Sequence, residues 1–502
     1  MFKKIRKEKA SRGEGLGDFT KVSLEELFYK NTDVLLETYT FSNNQVTFIS
    51  CEGMVDQKLL NESIYEKIID FFKKYGDITL TRELITKDLY LPNINEIVRE
   101  GDAVKEVFSG KLLILFHKEQ TLFSTDIANR PQRKPEETST EISIKGPRDD
   151  FIEDIFVNIA LIRKRLRTNS LVINRYELGS RTQTQVALLY MDDIIDPEII
   201  EDIDQRLREI EIDGIYSGTQ LKEILSKRPY NFYPVFHYSG RPDFAVHSLL
   251  NGRFVLLIDG VQYVLLAPVN LSFILKSAED SEATFIFNTF ERAIRLTALA
   301  IGILLPGLWV ALSSYHQNQL PVSFLGTVIE SRKSVPLPAR LETLIMVLLF
   351  EFFREAGLRM PMAIGSTLSV VGGLIIGDAA IRAGLTSPIL IVVIASSSVA
   401  TYTLVSMSLH GIVSILRIFV IILSSLVGLY GFLIGLFMII LSMANIESFG
   451  VSYISVPGKV SIRDILKTFL KLPEGQYKLR PSFLTGKDKD GTKGGKKEDD
   501  SS

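Results

Sequence analysis

The 502-residue chain holds one cysteine, five histidines and one tryptophan. A lone thiol, Cys51, excludes an intramolecular disulfide framework, and within VTFISC it reads as a small buried side chain. The histidines are scattered, and no His, Cys or carboxylate spacing fits a metal site. No phosphate loop, dinucleotide glycine motif, nucleophile elbow or paired-histidine motif is present, so neither an enzyme nor a cofactor is expected. A formal net charge of −2 gives no ground for nucleic-acid binding. No secretory signal opens the chain. Met1–Gly17 is basic, with Lys3, Lys4, Arg6, Lys7, Lys9 and Arg12, and no apolar core follows it. Residues 1–22 are therefore read as a basic disordered tail, and the first half of the chain is expected to stay in the cytoplasm.

Long uncharged runs are absent before residue 296 and dominate after it. Four stand out: Leu296–Tyr315, Met360–Gly377, Ser387–His410 and Ile418–Ile446. Each has about 18 residues or more, enough to cross a hydrocarbon core of about 30 Å. Backbone amides in lipid must bond within their own segment, so these runs are expected to be helices. The fold class expected is an α/β N-terminal cytoplasmic region of two similar subdomains, followed by an α-helical polytopic membrane domain.

The duplication is read from two matched pairs of segments. Val46–Ile68 and Gln185–Leu207 each read as a buried strand, an acidic turn and an amphipathic helix. SGKLLILFHKEQTLFSTDI (Ser109–Ile127) and NGRFVLLIDGVQYVLLAPV (Asn251–Val269) each read as a glycine turn and a β-hairpin, and both pairs are offset by about 140 residues. Asp259-Gly260 is expected to make a two-residue hairpin turn with φ > 0 at both positions. Subdomains are placed at 23–130 and 148–285, with a Pro-, Ser-, Thr- and charge-rich linker over 131–147. Phe151, Ile155, Ile159, Ile162 and Leu166 mark the buried face of a helix leading into the second copy. Asp192, Asp193 and Asp196 read as a turn capping the helix that begins at Pro197, rather than as a cation site.

In the membrane half, 286–446, Met360–Gly377 differs from its neighbours. Its Ser366, Ser369, Gly373 and Gly377 recur at three- and four-residue spacing. Such a face permits close helix packing or lines a narrow aqueous path. Pore-lining candidates are Ser366, Ser369, Val370, Gly373, Ile376, Gly377 and Asp378, the last followed one turn later by Arg382. Arg340–Pro361 has a short uncharged core, Thr343–Phe350, between Glu342 and Glu351, and reads as re-entrant or buried against other helices. Glu342, Glu351 and Glu355 there either face water or pair with Arg340, Arg354 and Arg359. Glu342, Glu351, Arg354, Glu355 and Arg359 are the gating or interface candidates. A cytoplasmic start and a polar C-terminal tail (447–502), read as cytoplasmic from Lys459, Arg463, Lys467 and Lys471, require an even number of crossings. Four spans leave several arginines outside. Six result if Arg340–Gly357 crosses and the last run splits near Gly428–Gly435.

Four runs resemble the A subunits of the GerA family of spore germination receptors. They are GPRDDFIEDIFVNIALIRKR (Gly146–Arg165), RPDFAVHSLLNGRFVLLIDG (Arg241–Gly260), VPLPARLETLIMVLLFEFFREAGLRMP (Val335–Pro361) and IGSTLSVVGGLIIGDAAIRAGLTSP (Ile364–Pro388). The likeness covers roughly residues 30–455. It implies a multi-pass protein of the spore inner membrane, with its N-terminal domain facing the spore core. It further implies a transporter-like B subunit and a lipoprotein C subunit as partners, nutrient sensing, and a homo-oligomeric ring that conducts monovalent cations. Gly240, Lys333, Asp378, Arg382 and Ser406 depart from the family pattern and mark a divergent member. An accessory spore membrane protein of the same family and a secondary transporter are the alternatives.

Overall fold

A computed structural model describes residues 19–41, 44–76, 81–129, 146–226, 231–359 and 377–454. They belong to two compact units. One is built from Met1–Pro229 and Tyr238–Pro268, the other from Tyr230–His237 and Val269–Tyr477.

The first unit holds two five-stranded sheets. Strands β1 (Val34–Phe41), β2 (Asn44–Cys51), β3 (Asn95–Ile97), β4 (Lys111–Phe116) and β5 (Thr121–Asp126) lie in the order β1-β2-β4-β5-β3. Alternation along β4 divides the core. Leu112, Ile114 and Phe116 face one cluster with helix α1 (Tyr65–Tyr75), while Leu113 and Leu115 face another with helix α2 (Glu100–Val107). A strand buried on both faces is therefore apolar at nearly every position.

The second sheet repeats the first. Helix α3 (Ile155–Arg163) leads into β6 (Leu171–Leu178), β7 (Thr184–Met191), helix α4 (Pro197–Arg208), β8 (His237–Ser239), helix α5 (Pro242–Leu250), β9 (Phe254–Ile258) and β10 (Val264–Ala267). The strand order is β6-β7-β9-β10-β8. Register matches as well as order. Phe48 pairs with Ile114 as Leu188 pairs with Leu256, and Val46 with Phe116 as Val186 with Ile258. Gly110 and Gly252, each one or two residues before the hairpin, both have φ of +82°. Asp56 and Asp196 each cap the helix that follows. The capping role expected of the acidic turn is thus observed at Asp196, whose side chain accepts from the Glu198 amide.

Two local expectations need correction. Asp259-Gly260 does not make a two-residue hairpin, because residues 259–263 all lie between β9 and β10. A turn closes from the Val261 amide to the Ile258 carbonyl at 3.3 Å, and only Gly260 takes positive φ, +80°. Helix α3 is also shorter than the predicted apolar stripe. Phe151, Ile155, Ile159, Ile162 and Leu166 are all buried, but Ala160, Leu161 and Arg163 are buried as well. The helix buries more than one face, with Ala160 joining the core of the first sheet, while Phe156 stays exposed.

The second unit is helical. Helix α6 (Phe285–Ser314) is followed by α7 (Val322–Arg332), α8 (Ala339–Arg359), α9 (Gly377–Arg382), α10 (Pro388–Tyr402), α11 (Met407–Val427) and α12 (Leu429–Ala444). Among the described residues, α6 and α11 are long and apolar enough to cross a membrane, and α10 and α12 are shorter apolar helices. Breaks fall elsewhere than the uncharged runs suggest. The run Ser387–His410 is interrupted between Tyr402 and Met407, with Ser406 as the N-cap of α11. The last run, by contrast, is divided where the six-span reading splits it, at Gly428, whose φ of +65° ends α11. That conformation costs glycine least. The first helix starts at Phe285, not Leu296, because Asp280 holds its charged first turns: Arg295 Nη1 lies 2.8 Å from Asp280 Oδ1 and Arg292 Nε 3.3 Å from Oδ2. The stretch Arg340–Pro361 falls largely in one 21-residue helix, α8.

Candidate functional site

Side-chain contacts set the helix directions in the second unit. Ser397 of α10 donates to the Gly302 carbonyl at 2.9 Å, while Leu390 and Ile394 pack with Trp309 and Val310. Helices α6 and α10 therefore run antiparallel. Arg417 reaches Gly302, and Tyr315 donates to the Ser425 carbonyl at 2.7 Å, so α6 and α11 run parallel. Glu342 meets Ser387 and Met346 packs with Leu390, so α8 and α10 are parallel too, with Arg359 and Pro388 at opposite ends of the bundle. Glycines let these helices approach. A Cβ on Gly307 would lie 2.5 Å from Val420 Cγ1, and one on Gly302 would lie 3.1 Å from Thr401 Oγ1.

A charged network sits inside this packing. Arg417, midway along α11, is buried. Its Nε donates to the Gly302 carbonyl at 2.7 Å and its Nη2 to Thr401 Oγ1 at 2.6 Å. Its Nη1 lies 3.4 Å from Glu351 Oε1. Glu351 in turn pairs with Arg354 at 2.7 Å, and Arg354 donates to Ser414 Oγ at 2.6 Å. One carboxylate and two guanidinium groups thus tie α6, α8, α10 and α11 together. A charge inside an apolar bundle is costly unless paired. This one is paired, and it spends a backbone carbonyl of α6 in doing so.

Glu342 forms a second buried contact. Its Oε1 accepts from the Ser387 amide at 2.7 Å, Ser387 Oγ at 2.9 Å and Thr386 Oγ1 at 3.1 Å. Its Oε2 lies 3.4 Å from Arg332 Nη2. The carboxylate serves as an N-cap for α10 supplied from another helix, where the helix dipole favours negative charge. Its cationic partner is Arg332 rather than Arg340, which instead reaches Tyr315 at 3.3 Å.

Of the gating or interface candidates, the structure thus brings Glu351 and Arg354 into one network and gives Glu342 a separate capping role. Glu355 is at the surface, and Arg359 is the last residue of α8. Gly377 and Asp378 open the short helix α9, where Asp378 pairs with Arg382 at 2.7 Å on the exposed surface. Ser366, Ser369, Val370, Gly373 and Ile376 lie outside the described residues, as do residues 1–18, most of the linker and residues 455–502, whereas Lys21 and Val22, read as part of the tail, open the helix Lys21–Phe28. Arg417 was missed by the sequence reading, which placed it at the edge of an apolar run. The available signal was a lone arginine centred in the apolar window 407–427.

Comparison with known proteins sets this bundle in context. The sequence profile of the Bacillus/Clostridium GerA spore germination protein matches residues 22–483. The chain belongs to the GerA family. Spore germination protein XA of Bacillus anthracis is 40% identical over 444 residues, covering 88% of this chain and 89% of the relative. Spore germination protein KA of Bacillus subtilis is 30% identical, covering 88% of this chain and 81% of the relative. The crystal structure of the N-terminal domain of the A subunit of the Bacillus megaterium spore germinant receptor GerK3 is 24% identical. It aligns with 51% of this chain and 98% of that domain, at a TM-score of 0.40. The GerA-family match takes in every element of the helical unit described above.

Proposed function

We propose that the chain is the A subunit of a nutrient receptor that triggers spore germination, and that several copies assemble around a cation-conducting path. The observation that carries this reading is the GerA-family match over residues 22–483, together with the relative XA at 40% identity. A transporter-like B subunit and a lipoprotein C subunit are its proposed partners, and the spore inner membrane its site, with the N-terminal domain toward the core.

The proposed topology has six crossings. The 21-residue α8 and the division at Gly428 supply the two features that distinguish six from four. Because Arg359 and Pro388 lie at opposite ends of the bundle, the chain between them joins those ends, which agrees with an even total. The proposed path runs along the face carrying Ser366, Ser369, Val370, Gly373, Ile376 and Gly377, with Asp378 at one mouth. Val370 and Ile376 would close it by excluding water. Glu351 and Arg354, held by Arg417, would keep α8 and α11 in register beside it.

The test is ion flux through the purified receptor in liposomes. Potassium release without a cosubstrate supports the channel. Saturable metabolite uptake would instead make it a transporter, and no flux in any assembly state a scaffold. Arg417→Met should lower receptor abundance, whereas loss of flux at normal abundance would place Arg417 in the conducting machinery.

A further inference from the structure

Helix α7 is divided lengthwise. Val322, Phe324, Leu325, Val328 and Ile329 fall on one side, and Ser323, Gly326, Thr327, Glu330 and Ser331 on the other; Arg332, the last residue, lies on the apolar side and pairs with Glu342. The bundle covers only part of the apolar side. Val328 is buried in the cluster of Trp309, Met346 and Leu390, and Phe324 meets Trp309 edge-on at 6.5 Å. Val322, Ile329 and Phe324 remain 87%, 54% and 40% exposed.

Depth decides what covers them. Arg292 and Arg295, paired with Asp280, mark one polar boundary of α6. The residues from there to Ser314 span roughly 30 Å at about 1.5 Å each, one hydrocarbon thickness. Trp309 precedes Ser314 by more than a turn, so the cluster that holds α7 lies about 7 Å inside the far boundary. An aqueous loop would not hold the part-exposed Phe324 at that level against Trp309, with exposed Val322 and Ile329 on the same side of its helix.

We propose that α7 is an interfacial helix whose Val322, Phe324 and Ile329 lie among lipid acyl chains just below the headgroups, in the leaflet opposite the Arg292/Arg295 end. Interfacial helices bury their apolar side about 5–10 Å into this zone. The proposal rests on the membrane reading above.

Bromolipid quenching of tryptophan fluorescence tests it, using the full-length receptor in liposomes. In a Trp309→Phe background, Val322→Trp should be quenched roughly twofold more by bromine near the headgroup than by bromine near the chain end. Val322→Cys carrying an environment-sensitive dye gives the same depth readout without touching Trp309. Ile415→Trp, on the exposed face of α11, is the control for the membrane reading. Quenching at Ile415→Trp with water-like, unquenched emission at Val322→Trp overturns the inference alone. So does blue-shifted emission at Val322→Trp that bromine leaves unchanged, which would mean a second copy or a partner covers the helix. If neither site is quenched, the membrane reading falls with it.

Discussion

Arg163 and Asp33 form a two-point ion pair at the junction of the repeated subdomains. Nε meets Oδ2 at 2.6 Å and Nη2 meets Oδ1 at 2.8 Å, and neither side chain is exposed. Arg163 also donates to the Thr168 and Leu171 carbonyls at 2.9 and 3.1 Å and stacks over Phe108 at 4.1 Å. Asn31 reaches the Leu171 carbonyl at 2.7 Å, and Arg175 pairs with Glu52 at 2.7 Å. The copies are therefore joined by polar contacts as well as by Ala160 in the shared core. Burial, and next the Asp33 charge, push the Cys51 thiol well above its ordinary value, so it stays protonated beside this pair.

Breaking the pair on one side should be more damaging than removing it. Arg163→Met strands a buried carboxylate and is expected to cost about 3–5 kcal/mol. Adding Asp33→Leu should restore part of that. Urea unfolding monitored by hydrogen exchange in the first unit, over the four-protein cycle, measures the coupling. A double variant no more stable than Arg163→Met would count against it.

Ile159→Asp should reduce receptor abundance in spores. The side chain is buried in α3, and an unpaired charge there has no partner to offset its desolvation. Immunoblotting against the wild type checks this, and normal abundance would mean that the face is not a core.

Two glycines of the bundle should differ in tolerance. A Cβ on Gly431 would lie 1.9 Å from the Leu423 carbonyl oxygen, which is backbone, whereas on Gly307 it would meet the Val420 side chain at 2.5 Å. Val420 is stiff at χ1 within its helix, but a side chain can still yield by a small shift where the Leu423 carbonyl, held in the backbone, cannot. Gly307→Ala is expected to cost about 1–3 kcal/mol, and Gly431→Ala more, read as the loss in Tm of the detergent-solubilised receptor.

Asp378→Lys should lower cation flux and leave assembly intact. The exposed i,i+4 pair with Arg382 contributes only about 0.3–0.5 kcal/mol, so its loss will not unfold α9. Selectivity measured in liposomes separates the outcomes. Unchanged cation preference would remove Asp378 from the pore mouth.

The strands, the repeat and the buried stripe of α3 were legible in the chain because their signals are local. Short continuous apolar runs, glycine turns at Gly110 and Gly252 and the Asp196-Pro197 helix start depend on near neighbours, and a duplicated fold duplicates them. The helical half was legible in composition and in the split at Gly428, where glycine marks the break, but not in the break before Met407. An uncharged run looks the same to water wherever its helices end, so that interruption was set by packing. Tertiary structure alone decided the partners of the buried arginines. Arg417 is tolerable within an apolar helix because the Gly302 carbonyl, Thr401 and Glu351 converge on it from three other helices. Arg163 is tolerable because Asp33, distant in sequence, arrives from the other repeat. A buried charge is stable only with a specific partner at hydrogen-bond distance, and that distance is fixed by how the elements pack rather than by the order of residues along the chain.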